Sequence, residues 1–226
     1  MMLDDEDAAV PSGEFTIPIF PLPDFVFFAH TRIPLHIFEP RYRAMVAEAL
    51  EGSRRIGLVL LQEGWQRDYF GSPPVHDRGT AGLIESSYEY EDGRYDLMLR
   101  GLVRYRILEE TPGRDYRVAR VIADPEFHGE PGRINGLRTE LVTLAKRYLA
   151  HFPDDPKVPE LETAPFDAIV NALVMALGFD SERKQELLAL SDLTERAGVV
   201  SSTMKEKLEM IDFLSPFRKT GNPTLN

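Results

Sequence analysis

Phe20–Tyr42 reads FPLPDFVFFAHTRIPLHIFEPRY, and the rest of the chain is best read outward from it. Just before it, Thr16–Phe20 is a short apolar run that stops at Pro21 and Pro23. At its other end, Pro40 suits the first position of a helix, where a missing N–H costs nothing. Tyr42, Met45, Val46, Ala49 and Leu50 then recur at spacings of three and four, which puts them on one helical face. Gly52 is a stop signal. The stretch therefore predicts a strand, a strand-turn region around His30 and His36, and one helix.

Downstream, the punctuation is that of strands up to about Asp124. Ile56–Leu61 is continuously apolar, the mark of a strand buried on both faces. Glu91-Asp92-Gly93-Arg94 supplies a hairpin turn. Tyr95–Leu108 alternates most cleanly: Tyr95, Leu97, Leu99, Val103, Tyr105 and Ile107 share one parity, while Asp96, Arg100, Arg104 and Arg106 take the other. That pattern predicts a half-buried strand with one wet face. Gly101, within the apolar row, predicts a bend or bulge. Tyr116–Ile122 is a further strand. Tight turns without intervening helices predict an antiparallel sheet or small barrel.

The second half changes period. Asp124–Gly136 is a loop rich in Pro and Gly. Leu137, Leu141, Leu144, Ala145, Tyr148 and Phe152 mark an amphipathic helix, and Pro153–Pro165 a second loop. Phe166–Leu177 is apolar nearly all round, as the buried centre of a bundle is, and Gly178 ends it. Ser181–Leu190 and Asp192–Leu214 are further helices, the second with Asp192 and Glu195 at capping-box spacing. The expected organisation is an acidic disordered tail over 1–14, a β-rich region over 15–127, a helical region over 128–214 and a flexible tail over 215–226.

Composition narrows the function classes. The 226 residues are 43% apolar and 28% charged, with a formal net charge of −11. Such a charge repels phosphate backbones, which argues against general nucleic-acid binding. There is no cysteine, so disulfides, thiolate metal sites and cysteine nucleophiles are excluded. The N-terminus has no basic region followed by an apolar core, and no stretch is long and apolar enough to span a bilayer. A soluble cytoplasmic protein without membrane contact is the expectation.

The string IPIFPLPDFVFFAHTRIPLHIFEPRYRAMV, with PLHIFEPRY (Pro34–Tyr42) at its centre, resembles the opening of the Lon protease N-terminal, substrate-binding domain family. RYDLMLRGLVRYRIL, GTAGLIE (Gly79–Glu85) and KQELLALSDLTERAGVV resemble later parts of the same family, so the likeness runs from Phe15 to about Leu214. Where family members often have Pro-Gly, this chain has Ala29-His30. The local turn geometry is therefore where the likeness is weakest, because glycine enters positive φ freely. The resemblance implies an α+β fold: a small distorted antiparallel β-barrel of PUA-like type with one helix, followed by a C-terminal helical bundle. Pro34, Leu35, Phe38, Glu39, Pro40, Arg41, Tyr42 and Gly101 are read as structural: a carboxylate at Glu39 near the helix N-terminus favours the dipole and Arg41 can bridge barrel and helix, in preference to a catalytic Glu39–Arg41 pair. The resemblance implies a non-enzymatic module that binds unfolded or partly folded protein segments, as an adaptor or holdase beside a protease or chaperone. These residues hold no G-x-x-x-x-G-K-[ST] nucleotide loop, and the domain bearing the Ser–Lys dyad is not among them.

Candidate chemistry is thin. His30, His36, His76, His128 and His151 have no ligand spacing, so no metal and no cofactor is expected. Ser53, Ser72, Ser86 and Ser87 lack a G-x-S-x-G context, and Ser201, Ser202 and Thr203 fall inside a helix. Phe25, Phe27, Phe28 and Trp65 are the candidate peptide-binding surface. In a small barrel the three phenylalanines are more often core than contact, and Trp65, in a polar loop, is the first choice for an exposed contact. The binding groove is expected between barrel and helical half. Two other readings are a small-molecule protein or enzyme using that cleft and an RNA-binding PUA-like protein. The sequence leaves the oligomeric state open.

Overall fold

The computed structural model describes residues 10–68, 71–112, 114–151 and 161–218. The acidic run Asp4–Asp7, Phe152, the loop that follows it up to residue 160, and the chain after Arg218 lie outside the described residues. Two compact units are present: the residues up to Glu126 together with Phe179–Ser191, and Phe127–Gly178 together with the chain from Asp192 onward.

The first unit carries the sheet: β1 (Glu14–Leu22), β2 (Arg32–Ile37), β3 (Arg55–Leu61), β4 (Val75–Glu89), β5 (Tyr95–Thr111) and β6 (Val118–Ala123). Helix α1 (Pro40–Glu51) joins β2 to β3. The ladder order is β2-β5-β4-β3-β1-β6. The expected antiparallel barrel is corrected to a six-stranded mixed sheet, because β1 and β3 run parallel, with Ile19 opposite Gly57. A parallel pair needs a crossover connection, and the β2–α1 segment supplies it. β6 also pairs with the second half of β5, so the sheet curls back on itself.

β5 is the spine of this arrangement. Its first residues lie between β2 and β4, and its last pair with β6. The bend falls where Gly101 predicts it: Gly82 faces Gly101 while Ala81 faces Val103, leaving Leu102 as the bulged residue. A Cβ on Gly101 would lie 2.2 Å from the Phe28 carbonyl oxygen, so only glycine lets the β1–β2 connection approach. That connection turns at His30, whose φ is 65°, and the Thr31 hydroxyl donates to the Phe28 carbonyl at 2.7 Å. The turn thus keeps a left-handed residue without glycine, at a steric cost.

The expected helix α1 is present with Pro40 in its first turn, and Tyr42, Met45, Val46 and Ala49 buried. Glu39 does not cap it through its side chain. Its carbonyl accepts from the Tyr42 and Arg43 amides, while its carboxylate takes Arg41 at 3.0 Å. The stop also differs: Gly52 has negative φ, and Arg54 is the left-handed residue. One core cluster joins α1 to the sheet through Phe27, Ile33, Ile37, Met45, Leu97 and Leu99; a second gathers Ile17, Ile19, Val59, Tyr105 and Val121.

Helix α4 (Ser181–Ala189) belongs to this first unit, not to a single helical half beginning at 128. Arg104 explains the attachment and corrects its place on a wet face. It is buried, donates to the carbonyls of Leu188 and Leu190 at 2.7 and 2.6 Å, and pairs with Asp124 at 3.1 Å. A guanidinium complements the partial negative charge of a helix C-terminus.

The second unit is α2 (Pro131–Leu149), α3 (Phe166–Ala176) and α5 (Leu193–Arg218). α2 begins inside the expected loop, because Pro131 starts a helix as well as it punctuates one and Gly132 and Gly136 are carried within it. α3 buries Ile169, Val170, Leu173 and Val174, in keeping with its all-round apolar sequence. Asp192 accepts from the amide and hydroxyl of Thr194, both at 2.7 Å, at the start of α5. α5 continues past Leu214 to Arg218.

Candidate peptide-binding face

The aromatic residues expected to make contacts separate into two groups. Phe27 and Phe28 are 2% and 0% exposed and belong to the interior, so they offer no binding surface. Phe25 is half-buried against the same core, its ring centroid 6.5 Å from that of Phe27. Trp65 is half-buried on a different connection, in the short 3-10 turn Trp65–Asp68 after β3. Tyr42 is buried against Phe20, with centroids 4.3 Å apart. Phe38 is the aromatic of PLHIFEPRY that faces water, at 61% exposure.

Phe38 adjoins a surface laid out by strand register. Antiparallel pairing places Arg32 opposite Arg100, Pro34 opposite Met98 and His36 opposite Asp96. On the other side of β5, Met98 faces Ser86 and Asp96 faces Tyr88. Side chains alternate across a sheet, so these residues share the face opposite Ile33, Ile37, Leu97 and Leu99. A shallow groove of about 670 Å³ follows them, lined by Pro34, Leu35, His36, Tyr88, Asp96 and Met98. Tyr88 is 63% exposed.

Polar pairs hold the groups in place. The Tyr90 hydroxyl donates to Asp96 Oδ2 at 2.5 Å, and His36 Nδ1 lies 2.6 Å from Asp96 Oδ1. A carboxylate only accepts, so Nδ1 carries the proton. The Tyr90 hydroxyl first, and then His36, hold the Asp96 carboxyl below the usual carboxylate range; the same bond to Asp96 pushes the Tyr90 phenol up. Tyr88 meets Tyr90 edge-to-face at 4.8 Å, the His36 ring stacks near Phe38 at 6.2 Å, and the Arg94 guanidinium lies over Tyr90 at 5.3 Å. At the other end, β4 carries an extra residue between Ile84 and Ser86. That bulge places the Glu85 carboxylate with Arg32, bidentate at 2.7 and 3.0 Å, and with Arg100 at 2.8 Å. Arg32 first, then Arg100, hold Glu85 below its usual range.

β2 is the free edge of the ladder. Pro34, lacking an N–H, sits there as prolines on edge strands do and blunts further strand addition. The face is thus suited to taking side chains. A second concavity, of about 640 Å³, is lined by Arg41, Arg114 and Arg117 among others. Its guanidiniums are bound to carboxylates: Arg117 to Glu110, Arg114 to Glu48 and Arg41 to Glu39. Among the described residues no group of three or more His, Asp or Glu is arranged to hold a metal ion.

Tyr88, Tyr90 and Met98 had not been singled out in the sequence. Asp96 and Arg100 stood out only as wet-face residues. The available signal was the even parity of Met98 among polar neighbours, followed across to β4.

Residues 16–206 match the family described as the ATP-dependent protease La (LON) substrate-binding domain. Among curated relatives, the Lon protease of Desulfosudis oleivorans is 24% identical over 203 residues, covering 87% of this chain and 24% of that protein. Lon protease 2 of Myxococcus xanthus is 26% identical over 200 residues, covering 86% and 24%. The chain therefore spans about a quarter of the length of the curated relatives it matches. Among solved structures, the N-terminal domain of the Mycobacterium avium complex Lon protease aligns with a TM-score of 0.68 at 18% identity, over 84% of this chain and 98% of that one. The Lon N-terminal domain protein of Xanthomonas campestris aligns at 0.59 and 22% identity, over 83% and 98%.

Proposed function

Because the chain belongs to the LON substrate-binding domain family, we propose that it recognises protein substrates of Lon type, binding exposed apolar segments of unfolded or partly folded chains without catalysis of its own. It serves as an adaptor or holdase, in the cytoplasm, beside a protease or chaperone. Among the described residues no helix is long and apolar enough to cross a membrane, and the net charge of −11 disfavours nucleic acid as a partner.

The observation that carries this reading is the face of β2, β5 and β4, where Tyr88 and Met98 stand on the strands and Phe38 is exposed just past the end of β2. Exposed apolar side chains rimmed by polar groups mark interaction surfaces. Covering about 200 Å² of them removes roughly 5 kcal/mol of unfavourable hydration at 25 cal/mol per Å². Much of that is offset by ordering the bound chain, so affinities in the micromolar to millimolar range are expected. Phe25 and Trp65, each half-buried, are assigned secondary contacts.

The test is capture of one client in its native and its urea-unfolded, diluted form. The unfolded form is retained and the native form is not. The double variant Phe38→Ser/Tyr88→Ser lowers retention about tenfold while the thermal midpoint holds. Equal capture of both forms, or full retention by the double variant, rejects the reading.

A further inference from the structure

The charges at one end of the apolar face are unequal in number. Among the described residues, Arg32 and Arg100 share one carboxylate, Glu85, so this end of the face carries two guanidiniums against one carboxylate. The carboxylate at the opposite end of the face, Asp96, is already occupied by Tyr90 and His36. In a chain of net charge −11, a local cationic surplus beside an apolar groove is a distinguishing feature. Guanidiniums also keep spare N–H donors after one carboxylate is bound, in a geometry suited to a second.

Resting on the peptide-binding reading above, we propose that the segments accepted here carry a carboxylate two residues from their apolar anchor. The register sets this spacing. The Arg32/Arg100 row and the Pro34/Met98 row are two residues apart on each strand, about 7 Å. The His36/Asp96/Tyr88 row follows at the same interval. An extended peptide lying along the strands presents alternate side chains to the face with that same period. An aspartate or glutamate then meets the arginines, the second residue on covers Pro34 and Met98, and the next alternate residue packs on Tyr88. A carboxylate only one residue from the anchor points away from the face.

The test is an amide NMR titration of the whole chain with acetylated, amidated pentapeptides, in both chain directions. Leucine stands third, phenylalanine fifth, and aspartate, lysine or serine first; a control moves the aspartate to the second position. In one of the directions, the aspartate-first peptide binds about fivefold more tightly than the lysine-first peptide at low ionic strength, as expected for partly exposed ion pairs. Salt at 0.5 M and the Arg100→Gln variant each shrink the difference, whereas Glu85→Gln widens it. Tyr88→Ser weakens all of the peptides. Equal binding of the aspartate, lysine and shifted-aspartate peptides, with Tyr88→Ser still weakening each, overturns this inference and leaves the apolar reading intact. If no peptide binds, both fall.

Discussion

The two faces of the strands β2, β5 and β4 are made from alternate residues of the same stretches of chain, yet they solve opposite problems. Inward, Ile33, Ile37, Leu97 and Leu99 meet the helix α1 residues Met45 and Val46 and are withdrawn from water. Outward, Pro34, His36, Met98 and Tyr88 stay in contact with it. The inward face gains stability from burial. The outward face is organised by directed pairs, His36 and Tyr90 on Asp96 and two arginines on Glu85, which hold aromatic groups in place without burying them. The difference teaches that this site inherits its rigidity from the core behind it.

Adjacent residues on β5 give the sharpest way to break that comparison. Leu99→Ala leaves a cavity in a fully buried position and costs about 2–5 kcal/mol. Met98→Ala, one residue away and outward, changes stability by about 0.5 kcal/mol or less and weakens peptide capture instead. Urea unfolding of both variants, with capture measured at equal folded fraction, checks this. Comparable stability losses would show that the two faces are not distinct.

Gly101 couples the faces to the segment that runs past them. Gly101→Ala sets a methyl against the Phe28 carbonyl, an atom of the backbone that moves only with its chain. The expected cost is about 1–3 kcal/mol, read as a lowered thermal midpoint. An unchanged midpoint would mean that the β1–β2 connection yields freely.

Much of this fold was legible because its signals are local. Alternation along Tyr95–Leu108 gave the inward face of β5, Pro40 gave the start of α1, and Gly101 gave the bend. Other features depend on partners distant in sequence. Nothing near Arg104 shows that it will be buried, since its acceptors are carbonyls of Leu188 and Leu190. The parallel β1–β3 pair is equally silent, because strand periodicity is the same whichever way a neighbour runs. For the site, FVFF drew attention by its aromatic density, but density is also what a core requires, and Phe27 and Phe28 went inside. Tyr88 and Met98 became a site only when register placed them in one row.

A smaller effect tests the turn. His30 holds φ of 65° on a side chain that bears a Cβ. His30→Gly relieves that strain but gives the unfolded chain more freedom, so a net gain of about 0.5–1 kcal/mol is expected. His30→Ala keeps the Cβ and gains nothing. Chemical unfolding of both variants separates backbone strain from loss of the imidazole, and equal behaviour of the two would place the turn's cost elsewhere.

The smallest expected effect concerns the charges on the outward face. Glu85 is held below its usual range by Arg32 and Arg100, so the folded chain releases its proton more readily than the unfolded chain. Its contribution is therefore complete above the ordinary carboxylate range, about pH 4.3, and is lost as pH falls through the lowered folded value. Glu85→Gln should lower stability at pH 7 by only about 0.2–1 kcal/mol, since partly exposed pairs contribute little, and the two curves should converge as pH falls from roughly 5 to 3, where wild-type Glu85 takes up its proton. Salt at 0.5 M should narrow the gap between wild type and variant at neutral pH. If the two curves stay parallel throughout, the pairs on the outward face orient side chains without stabilising the sheet. The comparison would then be sharper still, with all the stability on one face and all the presentation on the other.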